Sequence, residues 1–159
     1  MQTFLPYSNF IKSAQSLDDK RLRCQIKEGM QIYKAITENV GWIHHPIVKM
    51  WKGYEKALIM YVVSCYYALK DRYPDVIHAS GEKAEQIAKT FLTIEAEDEP
   101  IWNKSPDFHL SHQSNLVRKD KNYYSFDVPD DLPYLWYDME LNKWYHLEKK
   151  GSKNVRIYL

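Results

Sequence analysis

Cysteine, glycine and long hydrophobic runs are all scarce in this sequence of 159 residues. Its two cysteines, Cys24 and Cys65, are too few for a disulfide framework, and no metal-ligand spacing surrounds them. We expect both to be buried free thiols. No apolar run approaches the roughly 18 residues of a membrane span, and the first residues lack the features of a signal peptide. The sequence therefore predicts no membrane contact and a cytoplasmic location.

A large excess of one charge is also missing, because 22 basic and 21 acidic side chains leave a net charge of +1. The chain is therefore not a polycation that binds nucleic acid through its overall charge. The basic residues are nevertheless clustered. Positions 12–34 contain six basic and three acidic residues, and positions 104–121 contain four basic and two acidic residues. This distribution allows one face of positive potential.

Aromatic residues, in contrast, are abundant. Five tryptophans, thirteen tyrosines and five phenylalanines make up 14% of the sequence. Many must be core residues, but the excess of tyrosine favours surface rings that can stack on bases or line an interface.

Apolar spacing predicts a mostly α protein, a single-domain bundle of about four helices over residues 1–159. An irregular arm over residues 1–12 is expected before them. The predicted helices run from about Ser16–Asp19 to Gly41, from Pro46 to about Arg72, from Ser80 to an inward-facing Leu92, and from Asp107 to Tyr123. A loop is expected over Glu95–Pro106.

The C-terminal segment is predicted to be irregular and rich in aromatic residues. Alternation over Tyr134–Met139 and Lys143–Leu147 suggests a hairpin that turns at Leu141 and Asn142. Lys149–Lys153 is expected to be flexible, within a tail over residues 148–159.

One border of the first helix carries a candidate acid. On a helical wheel Arg21, Gln25 and Glu28 lie beside the apolar stripe, and the solvated basic flank lies on its other side. A carboxylate at such a border is half-shielded, and Gly29 leaves a spot beside it that another backbone or a ligand could approach. The alternative is that Glu28 forms a surface ion pair with Arg21 or Lys27.

Two histidine clusters allow several roles. His45 precedes the proline that starts the second helix, so it could cap that helix, belong to the core or bind phosphate. His109 and His112 have the i, i+3 spacing of half a metal site, but no further ligands join them, so no metal is predicted. The basic end of that last helix suits phosphate contacts better.

Several stretches resemble the pyrimidine-dimer DNA glycosylases, the phage endonuclease V group and its bacterial relatives. They are MQTFLPY, LDDKRLRCQIKEGMQI, GWIHHPIVKMWKGYEKALIMY, SHQSNLVRKD and PDDLPYLW, which span roughly residues 1–137. In the first helix, Leu17, Asp19 and Leu22 match the family's start. Lys27 takes the place of its arginine and Glu28 that of its catalytic glutamate, and Arg21 aligns with a histidine that lines the site.

The resemblance implies a helical glycosylase and abasic-site lyase that needs no metal or other cofactor. Its nucleophile is the N-terminal amine, which attacks the sugar C1′ and forms an imine that undergoes β-elimination. Glu28 would stabilise the sugar cation and move protons. Because Gln2 is too large for removal of the initiator methionine, the amine is expected to be that of Met1. Alternatively, a lysine such as Lys27 replaces it, or the lyase step is absent.

Taken together, these features predict a monomeric repair enzyme that acts on damaged or modified pyrimidines in double-stranded DNA. Its catalytic residues would be Glu28 and Met1. The predicted DNA contacts are Arg21, Arg23, Lys27, His45, His112, Arg118, Lys119 and Lys121. The alternatives are a non-catalytic nucleic-acid-binding module that has kept the fold and a structural or partner-binding helical protein.

Overall fold

The computed structural model describes residues 1–91 and 99–159, and within them six α-helices precede a small sheet. The helices are α1 Phe10–Ser16, α2 Asp19–Glu38, α3 Pro46–Trp51, α4 Glu55–Arg72, α5 Ala79–Thr90 and α6 Pro106–Lys119, with a 3₁₀ helix at Ile101–Lys104. The mostly helical class is confirmed, with more helices than the four predicted. The inward position of Leu92 and the first half of the Glu95–Pro106 loop lie outside the described residues. No described helix combines the length and apolar character needed to cross a membrane.

The last helix ends at Lys119 and not at Tyr123 as predicted, and two other differences from the predicted boundaries have local reasons. The arm ends early because the Asn9 side chain accepts the backbone N–H of Lys12 at 2.9 Å and so caps α1. The second predicted helix is divided into α3 and α4, since Gly53 has a φ of +88° and no helix can pass through it. The apolar stripe continues across this break, and periodicity alone therefore hides it.

The core forms where α2 packs along α4. The α4 residues Leu58, Tyr61 and Val62 are fully buried, and α2 supplies Leu22 and Ile26 to the same contact. Helices α1 and α5 pack against α4, α3 and α5 pack against α2, and the sheet contacts α3 through its first strand. One consequence is that the border of α2 that carries Glu28 lies at the edge of the core.

The space beside Glu28 is filled by α4. A Cβ placed on Gly29 would lie 2.3 Å from Cγ2 of Val62, so the glycine permits close helix packing. We expect Gly29→Ala to lower the free energy of unfolding by about 1–3 kcal/mol, because the added methyl overpacks this contact. The measurement is urea denaturation.

A matched double variant separates overpacking from other causes. Val62→Ala should be destabilising alone, yet should recover much of the stability that Gly29→Ala loses when the two are combined. A Gly29→Ala protein at least as stable as the parent would contradict the packing, since alanine also has the higher helix propensity.

The C-terminal segment forms a three-stranded antiparallel sheet in the order β1 Trp136–Asp138, β2 Lys143–Lys150, β3 Lys153–Tyr158. The predicted hairpin is confirmed: Trp136 pairs with Tyr145 and the turn contains Asn142 at a φ of 54°. The expected tail is wrong, because a second hairpin turns at Gly151 and pairs Tyr145 with Tyr158.

Candidate active site

The first residues of the chain are held against α2. Phe4 and Leu5 are buried, and the Gln25 side chain accepts the N–H of Phe4 at 2.8 Å and donates to the carbonyl of Gln2 at 2.9 Å. Tyr61 of α4 donates its hydroxyl to the same Gln25 oxygen at 2.8 Å. Chain ends usually fray. This end is held in place because the buried Gln25 amide forms the hydrogen bonds that a neighbouring strand would otherwise form with its backbone.

Glu28 lies next to the beginning of the chain. The N–H of Gln2 donates to Oε2 of Glu28 at 2.9 Å. Only three covalent bonds, about 4.3 Å end to end, separate that nitrogen from the Met1 amine, so the amine lies within about 7 Å of the carboxylate oxygen. The two residues predicted to be catalytic are therefore brought together, because Gln2, which follows Met1, bonds a carboxylate 26 positions further along the chain.

A cleft of about 320 Å³ contains both groups. Its lining consists of Met1, Gln2, Phe4, Lys20, Arg21, Cys24, Gln25, Glu28 and Lys119. Three of these side chains are cationic, and Lys119 comes from α6 with its ammonium 5.7 Å from the centre of the Phe4 ring. Such a rim favours an anionic ligand.

Arg21 and Lys27 do not act as ion-pair partners of Glu28. Arg21 is 2.5 Å from Asp18, the residue that caps α2, and Lys27 is exposed on the outer flank. Although burial opposes ionisation, hydrogen bonds from Tyr124 and Arg21 lower the pKa of Asp18. Among the described residues Glu28 is in no ion pair, so the structure does not support the surface-pair alternative.

His45 caps the helix α3. Its Nδ1 accepts the N–H of Ile47 at 3.2 Å, at the start of that helix. Burial, followed by the positive N-terminal amine, lowers the pKa of His45, and the Glu28 charge opposes this effect. The capping role is confirmed, and His45 is not among the residues that line the cleft.

The second histidine cluster holds the arm from the other side. His112 is fully buried and its Nδ1 accepts the N–H of Leu5 at 2.9 Å. The His109 ring lies between the carbonyls of Leu5 and Asn103, at 2.7 and 2.8 Å. The predicted DNA contact at His112 is therefore wrong, because a phosphate cannot reach a buried ring. No group of three or more metal-ligating side chains occurs in the described part of the chain.

The burial of His112 predicts how stability depends on pH. Burial, and then the neighbouring His109, lowers the pKa of His112 well below its usual range. Below about pH 6.5 the unfolded chain therefore binds a proton that the folded chain does not. We expect the free energy of unfolding to fall as the pH drops from 7.5 to 5.5, by at most about 1.4 kcal/mol per unit from this group. Denaturation at the two pH values measures it.

An amide that does not titrate provides the comparison. His112→Asn can still accept the Leu5 N–H, so it should flatten the pH profile even if the variant is less stable at pH 7.5. His44→Asn, at an exposed histidine, should leave the profile unchanged. Equal slopes for His112→Asn and the parent would show that His112 does not govern the acid sensitivity.

The remaining predicted DNA contacts lie in different surroundings. Arg118 donates to Ser114 and to the carbonyls of Asp130 and Leu132, and Lys121 pairs with Asp130 at 2.5 Å. Both fasten the segment that follows α6. Arg23 is exposed, with its guanidinium 5.8 Å from the centre of the Tyr73 ring. Of the basic side chains predicted, Arg21 and Lys119 line the cleft.

A second cavity, of about 310 Å³, adjoins the cleft and was not foreseen. It shares Gln2 and Lys119 with the cleft and is otherwise lined by Asn115, Tyr134, Trp136 and Leu147. The excess of aromatic residues is only a general sign of this cavity, because its walls come from the arm, α6 and the sheet. Sequence reasoning also missed Lys20, which lines the cleft.

Residues 1–76 match the family model described as pyrimidine dimer DNA glycosylase, which confirms the resemblance for this part of the chain. The matched part includes Met1, Glu28 and His45 and ends after α4, so Lys119 and the sheet lie outside it. No curated protein and no solved structure matches the chain.

Proposed function

We propose that this chain, whose residues 1–76 match the family model of the pyrimidine dimer DNA glycosylases, removes a damaged or modified pyrimidine from duplex DNA and then nicks the strand. The observation that carries the proposal is the hydrogen bond from Gln2 to Glu28, because it fixes the start of the chain beside a carboxylate in an open cleft. We propose that the protein works as a single-domain monomer and needs no cofactor.

The Met1 amine would act as the nucleophile. Its lone pair attacks C1′ of the sugar, and the bond between C1′ and the pyrimidine breaks, with its electron pair leaving on the base, which is protonated. Opening of the sugar ring and loss of the amine protons leave an imine at C1′. Removal of a C2′ proton then breaks the bond from C3′ to oxygen and releases the 3′ phosphate, which nicks the strand.

Glu28 suits the two demands of this sequence. Positive charge develops on the sugar as the base departs, and an adjacent carboxylate stabilises it. The same carboxyl can protonate the ring oxygen and then accept the C2′ proton, as a general acid and base. Its bond to Gln2 orients the carboxylate toward the residue whose amine reacts.

The cations at the cleft rim would hold the DNA backbone. Lys20 and Lys119 are exposed, and with Arg21 they line the cleft from two sides. Contacts of this kind position the duplex but do not read its sequence. They also explain how a chain of net charge +1 can bind a polyanion, since charge at the site matters more than the total.

Borohydride trapping tests the proposal directly. The protein is incubated with a duplex that carries a cyclobutane dimer, a duplex with an abasic site and an undamaged duplex, each with sodium borohydride. The proposal expects a covalent protein–DNA adduct with the first two and none with the third, because reduction fixes the imine. Tight binding without any adduct would instead favour the non-catalytic nucleic-acid-binding module.

A further inference from the structure

Trp42 is the most exposed tryptophan of the chain. Its residue is 61% exposed, whereas Trp51, Trp102 and Trp136 are at most 8% exposed and Trp144 is half-buried. Single exposed apolar side chains are common on protein surfaces. The exposure of Trp42 is therefore not enough to indicate a role, and its position relative to the cleft must be considered.

The segment that carries Trp42 is well defined. After α2 the chain turns through Asn39 and Gly41, whose φ values are 54° and 72°. The carbonyl of Trp42 then accepts the N–H of His45 at 2.9 Å, and His45 caps α3. The indole is thus carried on a turn that is fixed at both ends, so it is presented to solvent by the backbone.

Trp42 also begins a row of rings that leads to the site. Its indole meets the His45 ring edge-on at 6.1 Å, and His45 meets Trp136 in the same way, also at 6.1 Å. Trp136 lines the second cavity together with Gln2 and Lys119. Gln2 and Lys119 also line the cleft that contains Met1 and Glu28, so two ring contacts connect Trp42 to a wall of the cavity that adjoins this cleft.

We propose that Trp42 enters the base stack of the DNA and occupies the space left when a nucleotide is extruded. This inference rests on the proposed function, in which C1′ must be exposed to the amine. Extrusion sacrifices stacking on both neighbouring bases. A flat indole restores part of it, since every base offers a face on which an aromatic ring can stack. The basic side chains that line the cleft would hold the phosphates of the same duplex.

Binding to a duplex that cannot react separates this stacking role from catalysis. The probe is a duplex with a tetrahydrofuran analogue of an abasic site, which has a gap but no reactive C1′ hydroxyl. We expect Trp42→Ala to weaken its binding by about 5- to 150-fold, the range that corresponds to stacking of one base on an aromatic side chain. Trp42→Phe should lose much less.

Tyr67→Ala is the matched control. Tyr67 is also an exposed aromatic residue, at 44%, but its hydroxyl bonds Glu85 of α5 and it does not line the cleft. The inference expects its affinity for the duplex to equal that of the parent. An equal loss in both variants would show a general aromatic effect and overturn the specific role of Trp42.

Tryptophan fluorescence gives a second readout. Iodide quenches exposed indoles, so most of the quenching should come from Trp42 and should be lost in Trp42→Phe, in which the half-buried Trp144 is the most accessible indole that remains. Binding of the gapped duplex should protect the parent from iodide. Unchanged quenching in the complex, or unchanged affinity of Trp42→Ala, would overturn the inference.

The two readouts also distinguish its failure from that of the proposed function. If borohydride traps the protein on DNA while Trp42 remains open to iodide, only the inference fails. If Trp42 is protected and contributes affinity but no adduct forms, the DNA-stacking role stands and the catalytic function fails. If the protein binds no duplex at all, both fail.

Discussion

Glu28→Gln is expected to lower both imine trapping and strand nicking by about 10²–10⁴-fold, the usual contribution of a positioned acid–base group, while affinity for damaged duplex stays within a few fold. The amide has the size of the carboxylate, and its oxygen can still accept the N–H of Gln2 that Glu28 accepts at 2.9 Å. The arm should therefore keep its place. What is lost is the negative charge and the proton-accepting group. Single-turnover nicking with enzyme in excess measures the step.

Glu38→Gln is the matched control for this prediction. Glu38 ends the same helix but is exposed, with its carboxylate 3.6 Å from Lys34. Its amide variant should nick at the parental rate. A Glu28→Gln protein that also cuts at that rate would remove Glu28 from the mechanism.

The sequence predicts a helix well where only one face of the helix is buried. The apolar spacing of α2 predicted its extent closely, and Asn39 ends it in the left-handed conformation. The division between α3 and α4 was missed because the buried stripe continues from Trp51 to Leu58. A single glycine with positive φ outweighs such a pattern, and its φ is a property of the folded chain.

The second hairpin was missed for a different reason. Strands β2 and β3 are mostly exposed over Glu148–Arg156, so their sequence shows lysines and no inward alternation. Backbone pairing, which leaves little trace in residue type, holds these strands together. The sequence therefore predicted a flexible segment at Lys149–Lys153, whereas these residues belong to a hairpin of two paired strands.

The site shows the same division between local and distant information. The helical repeat alone predicts that Glu28 and Gln25 lie on the same border of α2, and in the structure both face the first residues of the chain. That His112 of α6 would accept the N–H of Leu5, 107 residues away, could not be read from spacing. The i, i+3 histidine pair looked accessible on its own helix and is covered by the arm.

Blocking the N-terminal amine should abolish imine trapping and leave DNA affinity nearly unchanged. Acetylation, or one glycine added before Met1, removes or displaces the primary amine on which an imine depends. The rest of the arm is held by residues further along, through Phe4 and Gln25, so the fold should tolerate the change. Trapping on abasic duplex, with the mass of the N-terminus verified, measures the effect.

If a lysine is the nucleophile in place of the N-terminal amine, the structure favours Lys20 or Lys119 over Lys27. Lys27 lies on the exposed flank, whereas Lys20 and Lys119 line the cleft with Glu28. As a class, α-amino groups have a reference pKa of about 7.7–8.0 against 10.4 for lysine, so far more of an α-amine is neutral near pH 7. Lys119→Ala and Lys20→Ala should therefore still trap abasic DNA, with weaker binding. A blocked N-terminus that traps as before, together with a Lys119→Ala or Lys20→Ala protein that does not, would assign the imine to that lysine.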